Sequence, residues 1–167
     1  PNWVHNTLVI TGDEATLDKL RTQLNQPIKT HYPKTEWDKE TNAWVKIPET
    51  QEVPNPVFSF QNVVPIDNPE TYYGEDYKSS KENIMEQVID SMANGLDWYH
   101  WNCRNWGTKW DIHGNVSVEV SPNETAYCFD SAWSPVMPVV EELARQYPTL
   151  EFSYRYLEEQ GWGGQVF

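Results

Sequence analysis

Basic side chains are scarce in this chain. Twelve lysines and arginines stand against twenty-five aspartates and glutamates, a formal net charge of -13. A phosphate backbone would meet repulsion over most of such a surface, so direct nucleic-acid binding is not expected. The shortage deepens along the chain: six basic against eight acidic groups over 1–56, four against eight over 57–110, and two against nine over 111–167. Cysteine is limited to Cys103 and Cys128, which excludes a disulfide framework and fits reduced thiols in a cytoplasm. No apolar run is long enough to span a bilayer and no secretory core is apparent, so no membrane partner is expected. Eight glycines form no phosphate-binding loop, and the GWGG near the C-terminus opens no helix. No cofactor is expected.

Aromatic side chains are plentiful, at 14% of 167 residues. A chain of this length can bury a real core as one domain, 1–167, and its core should be built from rings. Four of the nine tryptophans fall between Trp98 and Trp110, in DWYHWNCRNWGTKWD. Such a run could serve a ligand, a partner or a core.

Periodicity organises the rest. Residues 3–11 alternate as a strand, with Val4, Leu8 and Ile10 on one face and Trp3, His5, Thr7 and Val9 on the other, both faces covered. Thr11 and Glu14 have the spacing of a capping box, and Leu17, Leu20 and Leu24 recur at helical spacing. Residues 28–56 are polar and broken by prolines, with a short hairpin near Ala43 to Ile47. Phe58 to Val64 reads as a strand, and Ser80 to Asn94 as a helix with Ile84, Val88 and Met92 on one face. Val116, Val118 and Val120 then alternate into a hairpin whose return strand is TAYCFD, through a longer loop. Ser134 is placed to cap a helix with Val136, Val139, Val140, Leu143 and Tyr147 on its apolar face. Leu150 to Tyr156 alternate as a last strand, followed by a flexible or turn-forming tail.

Taken together, the outer elements predict an α+β, ferredoxin-like βαββαβ sandwich with a long insertion, about 27–112, between the first helix and the second core strand. A sheet covered by helices on one side leaves its second face open. Trp3 or the Tyr127/Phe129 pair on that face would need a cover, and the middle segment is the candidate.

The blocks PNWVHNTLVITG, FSFQNVVP, WNCRNWGTKWD, CFDSAWSPVMPV and YLEEQGWGG, in this order, resemble the YubB ferredoxin-like family of bacteriophages, conjugative plasmids and prophages. The resemblance implies the βαββαβ fold and a mobile-element origin. It implies no reaction, and it carries no role onto Trp162.

Motifs for chemistry are thin. His100 and Cys103 make half a zinc site that Cys128, His113 or His5 would have to complete, and a second paired motif is missing. Ser131 and Ser134 flank Trp133 without a nucleophile elbow or a placed base. The chain is therefore not expected to be an enzyme or to hold a metal. It is expected to be a small acidic accessory protein that binds and inhibits a host protein, such as a nucleic-acid-binding defence complex. That would be a counter-defence role of the anti-CRISPR or anti-restriction type, with Glu141, Glu142, Glu151, Glu158 and Glu159 as the acidic contact surface. The alternative is a small-molecule-binding or enzymatic module with a pocket between sheet and insertion, lined by Trp106, Lys109, Trp110, Tyr127, Asp130 and Trp133, with His100 as a further polar group.

Overall fold

The computed structural model describes residues 1–31, 34–47, 49–67, 98–112 and 114–166. The helix expected over Ser80 to Asn94 lies outside them.

A five-stranded antiparallel sheet organises the molecule. Its strands are β1 (Trp3–Thr11), β6 (Ser117–Ser121), β7 (Glu124–Ala132), β8 (Glu151–Glu158) and β9 (Gly163–Val166), in the order β6-β7-β1-β8-β9. The first strand of the chain is thus central, between two strands from the C-terminal third. Val4, Asn6, Leu8 and Ile10 point to the buried face, as the alternation predicts, while Trp3 and His5 are exposed on the other.

Two helices lie over the buried face. α1 (Glu14–Leu24) presents Leu17, Leu20 and Leu24. Its cap is Asp13 rather than Thr11: the Asp13 carboxylate accepts from Thr16 N at 2.9 Å and from Thr16 Oγ1 at 2.8 Å, bonds that hold its pKa below the ordinary carboxylate value. The helix over Met137–Gln146 presents Val139, Val140 and Leu143. Ser134 does not cap it, because the Ser134 hydroxyl is spent on Gly107 O at 2.5 Å. The pieces are cross-linked at one end, where Gln23 Nε2 donates to Asn62 O and to Gln146 Oε1, and the Tyr147 hydroxyl donates to Gln23 Oε1.

Between α1 and β6 the chain forms two antiparallel ribbons, β2 (Ile28–His31) with β5 (Thr50–Val53) and β3 (Lys34–Asp38) with β4 (Ala43–Ile47). Phe58 to Val64 is not a strand. It contains a 3-10 turn at Phe60–Asn62, fixed by Asp111, which accepts from Ser59 Oγ and from Phe60 N at 2.6 Å each. The helix Trp98–Asn105 follows, so in chain order the helices of the described residues are α1, α2 (Trp98–Asn105) and α3 (Met137–Gln146).

The described residues of this middle region do not cover the second sheet face. Phe58, Phe60, Trp101 and Trp106 join the helices over the first face, where Tyr127 and Phe129 also point. Phe58 meets Phe129 edge to face at 5.4 Å, and Trp101 meets Trp106 likewise at 5.3 Å. Both indole N–H groups are satisfied, Trp106 by Val64 O and Trp101 by Asp67 Oδ1, at 3.0 Å each. Among the described residues the opposite face stays open at His5, Cys128, Asp130, Arg155 and Leu157.

Two further readings need correction. The β6–β7 turn is only Pro122-Asn123, with Ser121 paired to Glu124. The tail is strand β9, paired to β8.

Candidate functional site

The tryptophan run divides by role. Trp101 and Trp106 are core, whereas Trp98 and Trp110 are 43% and 39% exposed. Trp110 lies beside Trp3, their ring centroids 6.4 Å apart and tilted by 44°. Lys109 Nζ stands 4.0 Å from the Trp110 centroid and 5.9 Å from that of Trp133, within the range in which an ammonium is attracted to an indole. Trp3, Trp110, Lys109 and Trp133 therefore form one exposed row at the end of the sheet where β1 begins and β7 ends.

Trp133 is held in an unusual backbone conformation. Its φ is 71°, and Ser134 N bonds back to Ala132 O at 2.9 Å, so the three residues make a tight γ-turn. A non-glycine residue in the left-handed region costs about 1–3 kcal/mol and persists only where its surroundings fix it. Here they do. Trp133 N donates to Asn2 O at 2.9 Å, and the next residue is clamped on both sides, since Ser131 Oγ donates to Ser134 O at 2.7 Å while Ser134 Oγ donates to Gly107 O.

Beneath the row runs a buried polar network that joins the two tryptophan-bearing loops. Asn6 Nδ2 donates to Val4 O at 2.8 Å and to Ser131 Oγ at 2.9 Å. The Tyr154 hydroxyl donates to Asn6 Oδ1 and accepts from Val136 N at 2.9 Å. Thr108 Oγ1 donates to Ala132 O at 2.7 Å. Burial pushes the Tyr154 phenol up, which keeps it a neutral donor. Gly107 is required where the loops meet: its φ is +81°, and a Cβ there would stand 2.8 Å from Pro135 O and from Pro138 Cδ. The NWGT and SAWSP motifs thus form one interlocked unit. Their serines and threonine are structural, and their indoles are what they display.

Next to the row is a cleft of about 370 Å³, lined by Trp3, Trp110, Asp111, Ile112, Asp130 and Ala132 among others. Asp130 Oδ1 pairs with His5 Nδ1 at 2.6 Å. This pair was not foreseen, although both residues have the parity of the open face. The register that sets His5 opposite Asp130 was the missing information.

The six residues expected to line one pocket are therefore separated. Trp106 and Tyr127 are each 1% exposed and belong to the core; desolvation pushes the Tyr127 phenol up to about 12. Trp110 and Asp130 line the cleft, and Lys109 and Trp133 flank it. His100 is on α2, its ring 5.3 Å from that of Tyr99. Cys103 is also on α2 and Cys128 is on the open sheet face, and the two form no disulfide with each other. Among the described residues no group of three or more His, Cys, Asp and Glu side chains could hold a metal ion, and His113 lies outside them.

The five glutamates do not form one surface either. Glu158 is 2% exposed, with Oε2 accepting from Gln160 N at 2.6 Å, so it is a turn-forming side chain and not a contact residue. Glu151 and Glu159 are exposed but sit at opposite ends of β8, roughly 26 Å apart at the usual rise per strand residue. Glu141 is exposed on α3, and Glu142 is paired with Arg145. Glu159 is the one that adjoins the indole row, its N–H donating to Trp3 O at 3.2 Å.

Residues 105–166 match the model of a family described as a ferredoxin-like domain in Api92-like protein. This segment is similar to a ferredoxin-like domain. It contains both loops of the interlocked unit, strands β6 to β9 and α3, and it adjoins β1, which supplies Trp3 and His5. No curated protein and no solved structure matches the chain. Among the described residues no helix is long and apolar enough to cross a membrane.

Proposed function

We propose that the chain is an interaction protein: a small acidic factor of phages or plasmids, of the YubB type, that binds a host protein in the bacterial cytoplasm and inhibits it by occupying an electropositive surface. A counter-defence role, anti-CRISPR or anti-restriction in kind, is the form of this reading that the charge favours. In the same reading the outer elements β1, α1, β6, β7, α3 and β8 are a βαββαβ unit, and residues 27–112 are an insertion within it. The protein acts by binding and not by catalysis.

The observation that carries the proposal is the row Trp3, Trp110 and Trp133, which is exposed although a strained γ-turn and a buried network hold it rigid. Rigid aromatic anchors are what protein interfaces use at their energetic centres, because little entropy is lost on docking. A net charge of -13 adds steering toward a basic partner. In this reading the contact surface is centred on this row and not on the α3 and β8 glutamates, with Glu159 at its border.

The test is affinity capture from host lysate at low salt, with the wild-type protein and a Trp133→Asn variant immobilised in parallel. A stoichiometric host protein that is released by moderate salt from the wild type and not retained by the variant supports the reading. Retention that resists salt, or that is equal on both, refutes it. A second reading, a small-molecule-binding module, is favoured by the cleft beside Trp3 and Trp110. Its signature would be a saturable change in tryptophan fluorescence with one member of a metabolite panel.

A further inference from the structure

The cleft beside the indole row has a definite chemistry. Two of its walls are indoles, Trp3 and Trp110, tilted to each other at 44° so that they open as a V and not as a closed stack. Among the described residues its ionisable lining consists of Asp111 and Asp130, with no lysine or arginine. Asp111 is engaged internally by Ser59 and Phe60. Asp130 is different: Oδ1 is oriented by His5 Nδ1, while Oδ2 has no hydrogen-bond partner among the described residues. An aromatic wall next to an oriented carboxylate is complementary to a cation that is flat and apolar on its faces and rich in donors at its edge. A guanidinium has this form. It stacks on indole faces and forks onto carboxylates, whereas an ammonium is a compact and strongly hydrated point charge.

Lys109 supplies an internal demonstration. Its ammonium already rests 4.0 Å from the Trp110 centroid, yet Lys109 is not part of the cleft lining. The same indole that faces the cleft is thus one on which a cation is held in the folded chain. An arriving cation would meet some repulsion from Lys109, and an arriving anion some attraction, which gives the site a test with a sign.

We propose that this cleft takes the guanidinium of an arginine side chain presented by the partner, with the carboxylate of Asp130 as its counter-ion and Trp3 and Trp110 as its stacking walls. The proposal rests on the interaction reading and specifies the contact at its centre. It also gives the excess negative charge a local role, since one buried arginine anchor would fix the orientation that long-range attraction alone leaves undefined.

The experiment titrates N-acetyl-arginine methylamide into the full chain while following the indole N–H signals of Trp3 and Trp110 by NMR, assigned with Trp3→Phe and Trp110→Phe. The neutral citrulline analogue serves as the isosteric control. A saturable shift at both indoles is expected with arginine and none with citrulline. Asp130→Asn should weaken binding about 5- to 10-fold, and Lys109→Met should strengthen it about 2- to 3-fold. Thermal melts of each variant establish that it is folded. Equal shifts with citrulline, an arginine response indifferent to Asp130→Asn, or weakening by Lys109→Met would each overturn the proposal. The two levels separate cleanly: a host partner whose retention is unchanged by Asp130→Asn and Trp3→Ala removes the cleft proposal and leaves the interaction reading standing. Arginine binding at the cleft with no host partner retained does the reverse.

Discussion

Replacing Tyr154 by phenylalanine removes a single oxygen from the centre of the network beneath the indole row. That oxygen donates to Asn6 Oδ1 and accepts from Val136 N; Asn6 is 2% exposed and Val136 fully buried, so water does not replace it. Each buried polar group left without a partner costs about 1–3 kcal/mol, and the loss is offset in part because one hydroxyl need no longer be desolvated. A destabilisation of about 2–4 kcal/mol is expected. With a urea m-value of roughly 2 kcal/mol per molar for a chain of this size, the unfolding midpoint should fall by roughly 1–2 M at unchanged m. Tryptophan fluorescence and far-UV circular dichroism should give the same midpoint. Ser131→Ala removes one acceptor from Asn6 Nδ2, which keeps Val4 O and Phe129 O, so it should cost less, about 1 kcal/mol. The double variant should fall short of the sum by at least about 0.5 kcal/mol, because both changes act through Asn6. A Tyr154→Phe midpoint within roughly 0.3 M of wild type would refute the reasoning, since it would mean that the hydroxyl is not what satisfies Asn6 and Val136.

Other outcomes follow from the same geometry. Gly107→Ala combines a positive φ with contacts of 2.8 Å to Pro135 O and Pro138 Cδ; it should lose about 2–4 kcal/mol, a Tm lower by roughly 6–12 °C in a calorimetric scan. Trp133→Asn relieves a left-handed tryptophan and removes an exposed ring, so stability should hold or rise by up to about 1 kcal/mol while partner retention falls; a large loss of Tm would show that the indole is structural. Glu142 is held down to about 2, first by its hydrogen bond from Arg145 and then by that from Gln146. Because its folded pKa lies below the unfolded value, its contribution is present above about pH 4.5 and is lost as the pH falls toward 2. Denaturant midpoints of wild type and Glu142→Gln should therefore differ slightly at neutral pH and converge at the acid end; a gap that persists at pH 2 would exclude the ion pair as its source. The effect is small, since the pair is partly solvated.

Much of the sheet was legible from parity. The alternation over β1 and β8 and the spacing of Leu17, Leu20 and Leu24 report a local property, one face against apolar neighbours, and the structure has those faces inward. What parity does not carry is which distant strand lies alongside. Tyr127 and Phe129 have the same parity as Val4 and Leu8 only once the β1–β7 register is known, and without it they were assigned to the open face. Phe58 to Val64 has the composition of a strand but is turned by a side chain fifty residues away, Asp111. Strand β9 has almost no strand propensity. It pairs because Gly163 and Gly164 let Tyr156 approach to where a Cβ would stand 2.4 Å from Tyr156 O and 2.5 Å from its hydroxyl. Glu158 shares the parity of Phe152 and Tyr154 and was read as exposed on its charge alone. At the site, Lys109 and Trp110 are neighbours in sequence, but the second indole near the Lys109 ammonium is Trp133 and not Trp106, and Trp3 and His5 reach it only through strand pairing.

The central position of β1 has a consequence for how the chain is made. Val4, Leu8 and Ile10 are synthesised well before their neighbours on both sides, β7 and β8, and Leu8 pairs with Tyr127 and Tyr154. At a synthesis rate of about 5–20 residues per second, the first strand waits roughly 6–24 seconds for its nearer partner. Until then an apolar strand keeps two unpaired edges, and sheet closure must span the whole intervening chain. Closure of the sheet during synthesis is thus held back until β7 and β8 are made, which leaves the nascent chain a substrate for holdase chaperones until they arrive.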